Sequence, residues 1–178
     1  MPTAPPPTRD VVLETRLFWD RFKKQITGAL LIVLLAVLGY TAYRFYSDRR
    51  AAAASASLAS ATTTLQYQQV LQRYPNTAAA ADAYLLLGQA QRREKKFAEA
   101  NTTFQTFITK YPKHELLSTA KMAVAANLES MGKMDEALAM YQQIASTYPT
   151  SFVAPIALLS QVYILKAKNL AHFPGCDS

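Results

Sequence analysis

Three nine-residue stretches of the sequence follow one pattern: YQQVLQRYP at residues 67–75, FQTFITKYP at 104–112 and YQQIASTYP at 141–149. Each begins with an aromatic residue, has a large apolar residue three positions later and ends with Tyr-Pro, and each starts 37 residues after the one before. A fixed period of this length is typical of a solenoid or an array of repeats. The chain is therefore expected to bury its apolar residues between successive units rather than in one globular core.

Each complete period contains two helical segments separated by a turn. In the first complete unit, a charged turn at 92–96 separates two apolar runs whose residues recur at three- and four-residue steps. In the second, the segment 118–131 turns at Gly132 and continues over 134–147. A proline follows each second segment, where a helix has to end. The predicted unit is helix, tight turn, helix, proline turn.

The residues at the key positions of these units resemble the tetratricopeptide repeat (TPR) family. The matching residues are Tyr84, Leu87, Gly88, Phe97, Ala100, Phe104 and Pro112 in the first unit, and Val124, Ala125, Gly132, Met134, Ala137, Tyr141 and Pro149 in the second. The resemblance implies an all-α solenoid of helical hairpins, with about two complete repeats and a half-repeat at each end. The family's period is about 34 residues, so a period of 37 implies about three additional residues per unit.

A long uncharged segment precedes the repeats. Residues 25–43, QITGALLIVLLAVLGYTAY, contain no charged side chain, and as a helix they would span roughly 28 Å, close to the apolar thickness of a bilayer. Aromatic residues flank the segment on both sides, as at the two interfaces of a membrane-spanning helix. We expect an uncleaved transmembrane anchor. The alternatives are a buried helix of a soluble protein and a signal peptide cleaved near Ala54 or Ala56.

The positive charge of the chain is concentrated near this segment. The net charge is +7, and residues 1–50 hold 8 Lys/Arg against 4 Asp/Glu. Five basic residues precede the uncharged segment and three follow it, which favours a cytoplasmic N-terminus with the repeats on the other side of the membrane. The small excess of positive charge in residues 51–178 does not indicate a nucleic-acid-binding protein. A hydrophobic fraction of 51% with 17% charged residues argues against a disordered chain.

The same features predict the domain organisation. The expected parts are a polar, proline-rich cytoplasmic tail at 1–17, a basic aromatic flank with the anchor at 18–46, an Ala/Ser-rich helix with a half-repeat at 47–73, the TPR-like repeats at 74–169 and an irregular tail at 170–178. No glycine or proline interrupts residues 40–74, so the anchor helix is expected to run straight into the half-repeat. Residues 153–168 are predicted to be a first helix, and Pro174 falls where the second helix should continue. This end is either a cap or a truncated repeat.

The layout of residues 18–61 resembles bacterial single-span TPR membrane proteins, typified by the ancillary subunit of the SecYEG translocon. The Tyr-Pro runs are also similar to periplasmic TPR proteins of outer-membrane assembly and cell division. The resemblance implies an inner-membrane adaptor whose TPR domain lies in the periplasm and binds secretory or envelope-assembly proteins. The alternative is a self-associating scaffold without a client, which would form homo-oligomers.

No catalytic, cofactor-binding or metal-binding group of residues is expected, and the chain is predicted not to be an enzyme. His114 follows a Tyr-Pro-Lys turn and is expected to face solvent. His172 lies close to Cys176, but a metal ion would need about two more ligands. A single cysteine excludes a disulfide within the chain. Gly88 and Gly132 stand alone and do not form a phosphate-binding loop.

The resemblance further implies a concave groove lined by the first helices of the units. The expected positions are Asp82, Leu85, Gln89, Arg92, Thr119, Met122, Ala126, Glu129, Ile156, Leu159, Tyr163 and Lys166. The candidate partner-binding residues among them are Leu85, Gln89, Arg92, Met122, Glu129, Leu159 and Tyr163. Such a mixture suits an extended or helical segment of another protein. The alternative is that several of these side chains simply pack, Leu85 and Leu159 especially.

Overall fold

The computed structural model describes residues 11–171 of the chain, without the side chains of residues 11–18, 20, 21, 170 and 171. Within that range the regular structure consists of seven helices and no strand, which confirms the all-α prediction. The helices are α1 (Val11–Ser60), α2 (Thr64–Arg73), α3 (Ala78–Arg93), α4 (Phe97–Lys110), α5 (Leu117–Ser130), α6 (Met134–Thr147) and α7 (Val153–Ala171). The predictions for His172, Pro174 and Cys176 fall outside the described residues.

The chain divides into two compact units, Met1–Arg49 and Arg50–Ser178. The described part of the first unit is helical throughout and belongs to α1. All side chains from residue 29 to residue 49 are exposed. By length and composition, Phe22–Ser60 could cross a membrane, and a signal sequence near the N-terminus would have the same two properties.

The helix α1 ends at Ser60, so the prediction that it runs straight into the half-repeat is wrong. Thr63 caps α2 instead. Its hydroxyl oxygen accepts a hydrogen bond from the Gln66 backbone N–H at 3.3 Å, and the Gln66 side-chain oxygen accepts one from the Thr63 N–H at 3.1 Å. This reciprocal pair is a capping box, which starts a new helix without glycine or proline. The last turns of α1 belong to the second unit, where Ala54 is fully buried.

In the second unit, α2 to α7 form a series in which each helix packs against the next in the chain. Its core includes residues that recur with the period of 37: Phe104 and Tyr141 are 1% exposed, and Phe107 and Ile144 are fully buried. In the second and third nine-residue stretches the aromatic and apolar positions therefore pack as the period predicted, whereas Tyr67 of the first stretch is only half-buried.

The backbone repeats as closely as the sequence does. The residues that end the second helices, Tyr74, Tyr111 and Tyr148, have φ of −126°, −125° and −125° and ψ of 51°, 58° and 54°. The hairpin turns also correspond, because Lys95 and Gly132, one period apart, both have positive φ, at 60° and 77°. Equivalent positions in successive units thus share both packing and local conformation.

Candidate functional site

A cleft of about 570 Å³ lies along the first helices α3 and α5, with the end of α1 contributing Leu58. Seven of its lining residues are predicted groove positions: Asp82, Leu85, Gln89, Arg92, Thr119, Met122 and Ala126. They share one surface because residues three, four and seven positions apart lie on the same face of a helix. Partner binding at these residues stays a prediction.

The apolar part of the cleft is continuous with the protein core. Leu85 is only 7% exposed and belongs to the core cluster, while Met122 packs against that cluster and is more exposed. Leu85 therefore packs in the core, which was the alternative to its role in partner binding. Met122 is the better placed of the two for contact with a partner, since a flexible thioether side chain adapts to varied apolar surfaces.

Two polar atoms at the cleft are buried without a hydrogen-bond partner in the described structure. They are the Arg92 Nε and the Thr119 Oγ1. A buried donor or acceptor left unpaired costs roughly 1–3 kcal/mol. A polar group of a bound segment that reached these atoms would remove that cost. Both atoms therefore favour a ligand with polar as well as apolar groups.

Glu129 does not line the cleft. Its carboxylate accepts a hydrogen bond from the Tyr141 hydroxyl at 2.8 Å, and Tyr141 belongs to the core. Burial, together with this bond, raises the pKa of Tyr141 to about 12. The structure thus assigns Glu129 to an internal contact between α5 and α6, where it holds a buried aromatic residue in place.

The predicted groove positions on α7 are not brought to this cleft. Leu159 and Tyr163 are 60% and 70% exposed, and Ile156 is 48% exposed. Lys166 is also exposed. These residues continue the same register one unit further along the chain, and none of them lines the cleft at α3 and α5.

Sequence reasoning missed the contribution of Leu58 from α1. The period does not give this contribution, because shifting α3 back by 37 residues reaches only 41–56, which stops short of Leu58. The equivalent of Leu58 one period later is Lys95, in a hairpin turn. No local pattern in the sequence marks the position of Leu58 at the cleft.

The prediction that His114 faces solvent is wrong. The side chain is half-buried, its ring lies 5.1 Å from that of Phe107 in an edge-on arrangement, and its Nδ1 accepts a hydrogen bond from the Leu116 N–H. The turn after α4 folds back on the core and carries this histidine with it. Among the described residues there is no group of three or more His, Cys, Asp or Glu side chains that could hold a metal ion.

Comparison with protein families adds one finding. The family described as tetratricopeptide repeat-like domain matches residues 16–157, which is more than half of the chain. No curated protein matches the sequence.

Proposed function

Because the chain belongs to the tetratricopeptide repeat-like domain family, whose stacked helices create surfaces for binding other proteins, we propose that it is a membrane-anchored adaptor. In this proposal α1 holds the protein in the inner membrane of a bacterium, with residues 1–17 in the cytoplasm and the repeats in the periplasm. The cleft binds segments of secretory proteins, translocon components or envelope-assembly proteins.

The chemistry of the cleft is the observation that carries the proposal. A volume of about 570 Å³ lies in the range of ligand pockets and accommodates a few side chains of a bound segment. Leu58 and Met122 supply apolar contacts, while Asp82 and Arg92 supply charges of both signs. A segment with apolar side chains and a polar or charged group next to them matches this combination.

The exposed apolar surface of α1 supports the anchor. Side chains such as Ile32 and Leu35 are 69% and 67% exposed. Exposed apolar surface of this length is costly in water and favourable in a bilayer. A buried helix of a soluble protein would instead have these side chains covered by the rest of the chain. The excess of basic residues before the uncharged segment favours a cytoplasmic N-terminus.

A self-associating scaffold is the second candidate function. It is favoured by the exposed apolar residues of α7, among them Tyr163, which contact between copies would cover. Chemical cross-linking in membranes separates the two functions. An adaptor gives cross-links to unlike proteins, whereas a scaffold gives a ladder of multiples of its own mass.

The decisive experiment compares two equal changes in one helical domain. Met122→Glu puts a charge in the cleft, while Met134→Glu puts the same charge at an exposed position at the start of α6. A photo-cross-linking residue in the lining of the cleft, at Ala126, records which proteins occupy the cleft in intact cells. Clients captured by the otherwise unchanged chain and by Met134→Glu should be lost from Met122→Glu. Equal capture by all three chains would contradict the adaptor function of the cleft.

A further inference from the structure

The cleft along α3 and α5 has charges of opposite sign at its two ends. Among the described residues that line it, only Asp82 and Arg92 are charged. Asp82 lies near the start of α3, and Arg92 lies in its last turn. Ten positions along a helix correspond to a rise of about 15 Å, so the two charges are well separated along the cleft.

Neither charge is neutralised within the described part of the chain. The ion pairs there, such as Lys96 with Glu94, involve other residues than Asp82 and Arg92. Asp82 is exposed, so its carboxylate is open to contact with a ligand, and Arg92 is half-buried in the wall of the cleft. The cleft therefore has an unpaired negative charge at one end and an unpaired positive charge at the other.

The size of the cleft favours an extended segment over a helix. A helix with its side chains is about 10–12 Å wide, so 15 Å of helix would enclose roughly 1,200 Å³ or more. That is about twice the volume of the cleft, which is about 570 Å³. An extended chain is narrower and covers the same distance in four or five residues, at about 3.3 Å per residue. Apolar side chains of the cleft lie ready for the residues between the charges, among them Leu86 and Met122.

We propose that the cleft recognises an extended segment of another protein with a basic and an acidic residue four or five positions apart and apolar residues between them. We call this arrangement the charge pattern, and the proposal rests on the adaptor function given above. The basic side chain pairs with Asp82, and the acidic one pairs with Arg92. The two pairs fix the register of the segment, because a shift by two residues would place a charge against apolar side chains such as Met122.

Five-residue peptides test the charge pattern on the full chain in detergent micelles. The probe is Lys-Leu-Ser-Leu-Glu, blocked at both ends and labelled with an uncharged fluorophore. The permuted peptide Lys-Leu-Glu-Leu-Ser has the same composition, but its charges are only two positions apart. Fluorescence anisotropy should show about fivefold tighter binding of the probe, because the permuted peptide can pair only one of its charges at a time. High salt should reduce this difference.

Charge-reversed chains locate the two contacts. Asp82→Lys should bind Glu-Leu-Ser-Leu-Glu about fivefold more tightly than the probe, and Arg92→Glu should instead prefer Lys-Leu-Ser-Leu-Lys. Arg93→Glu is the matched control, because Arg93 lies on the same helix but does not line the cleft. It should keep the preference for the probe. If replacement of the half-buried Arg92 unfolds the repeats, Asp82→Lys at its exposed position decides the test by itself.

Three results would overturn the charge pattern. They are equal affinities of the unchanged chain for the probe and the permuted peptide, an unchanged order of affinities in Asp82→Lys, and absence of binding by every peptide. Capture of clients at Ala126 tests the adaptor function separately. Clients captured there together with any of these three results would remove the charge pattern and leave the adaptor function in place. The expected peptide preferences without any captured client would remove the adaptor function instead.

Discussion

Phe104 and Gly88 are in such close contact that a β-carbon added at Gly88 would lie 2.6 Å from the ring Cζ of Phe104. The ring is 1% exposed, so an added methyl group would have to displace packed atoms. The separation between α3 and α4 therefore depends on a residue without a side chain at this position. This contact sets how closely the two helices of the first complete unit approach.

We predict that Gly88→Ala destabilises the repeats although alanine favours helix formation. Alanine gains up to about 1 kcal/mol in helix propensity over glycine, while overpacking a filled core costs typically about 1–3 kcal/mol. The net effect should be a lower melting temperature of the full chain in detergent. A partial rescue by Phe104→Leu is the control, because the smaller side chain leaves room for the methyl group. A melting temperature equal to that of the unchanged chain would contradict the close contact.

Exchanging the residue types at equivalent positions of the two hairpin turns tests the backbone conformation of these turns. Lys95 and Gly132 both have left-handed φ, at 60° and 77°. This conformation costs a residue with a β-carbon about 1–2 kcal/mol and glycine almost nothing. We expect Lys95→Gly to raise the free energy of unfolding by about 0.5–1 kcal/mol, after the added chain entropy of glycine is subtracted. Gly132→Lys should lower it by about 1 kcal/mol.

Urea unfolding of the full chain in detergent measures both changes. The two substitutions also change the charge in opposite directions, so Lys95→Ala, which removes the charge but keeps the β-carbon, is the control and should not stabilise the chain. If both variants are destabilised equally, the left-handed conformation does not determine the stability of these turns.

The contact between Tyr141 and Glu129 predicts how stability depends on pH. The pKa of Tyr141 rises from about 10 to about 12 in the folded protein, chiefly through burial. Between these values the unfolded chain loses the proton and the folded chain keeps it. The contribution of Tyr141 to the free energy of unfolding is therefore fully present below about pH 10 and is lost as the pH rises toward about 12. Tyr141→Phe should show a smaller loss of stability over this interval than the unchanged chain. If the free energy of unfolding of the two chains fell equally over this pH interval, Tyr141 would be excluded as the titrating group.

The repeat was predictable because its signals are local and periodic. Tyr-Pro at three equivalent points marks where second helices end, and residues such as Phe104 and Tyr141 are aromatic at a fixed register. Positions on one face of a helix, such as Asp82 and Gln89, follow from 3.6 residues per turn. Each of these features is determined by residues within one or two repeat units.

Features that lie outside the periodic pattern were missed. The end of α1 at Ser60 results from a capping box of Thr63 and Gln66, which has no glycine or proline to mark it. The burial of His114 results from a turn that folds back on Phe107. Likewise, the separation of Tyr163 from the cleft depends on where α7 packs relative to α3 and α5. None of these follows from a single periodic pattern.

The last prediction concerns the anchor and its orientation. Five basic residues precede the uncharged segment 25–43 and three follow it, so we expect the N-terminus in the cytoplasm and the repeats outside. Cys176 is the single cysteine and lies beyond the repeats in the sequence. In intact spheroplasts, a membrane-impermeant maleimide should therefore modify it. The matched control is Thr3→Cys combined with Cys176→Ser, which should react only after the membrane is disrupted. Labelling of residue 3 with protection of Cys176 would reverse the orientation, and a mature chain beginning near Ala54 would show that the segment is a cleaved signal sequence.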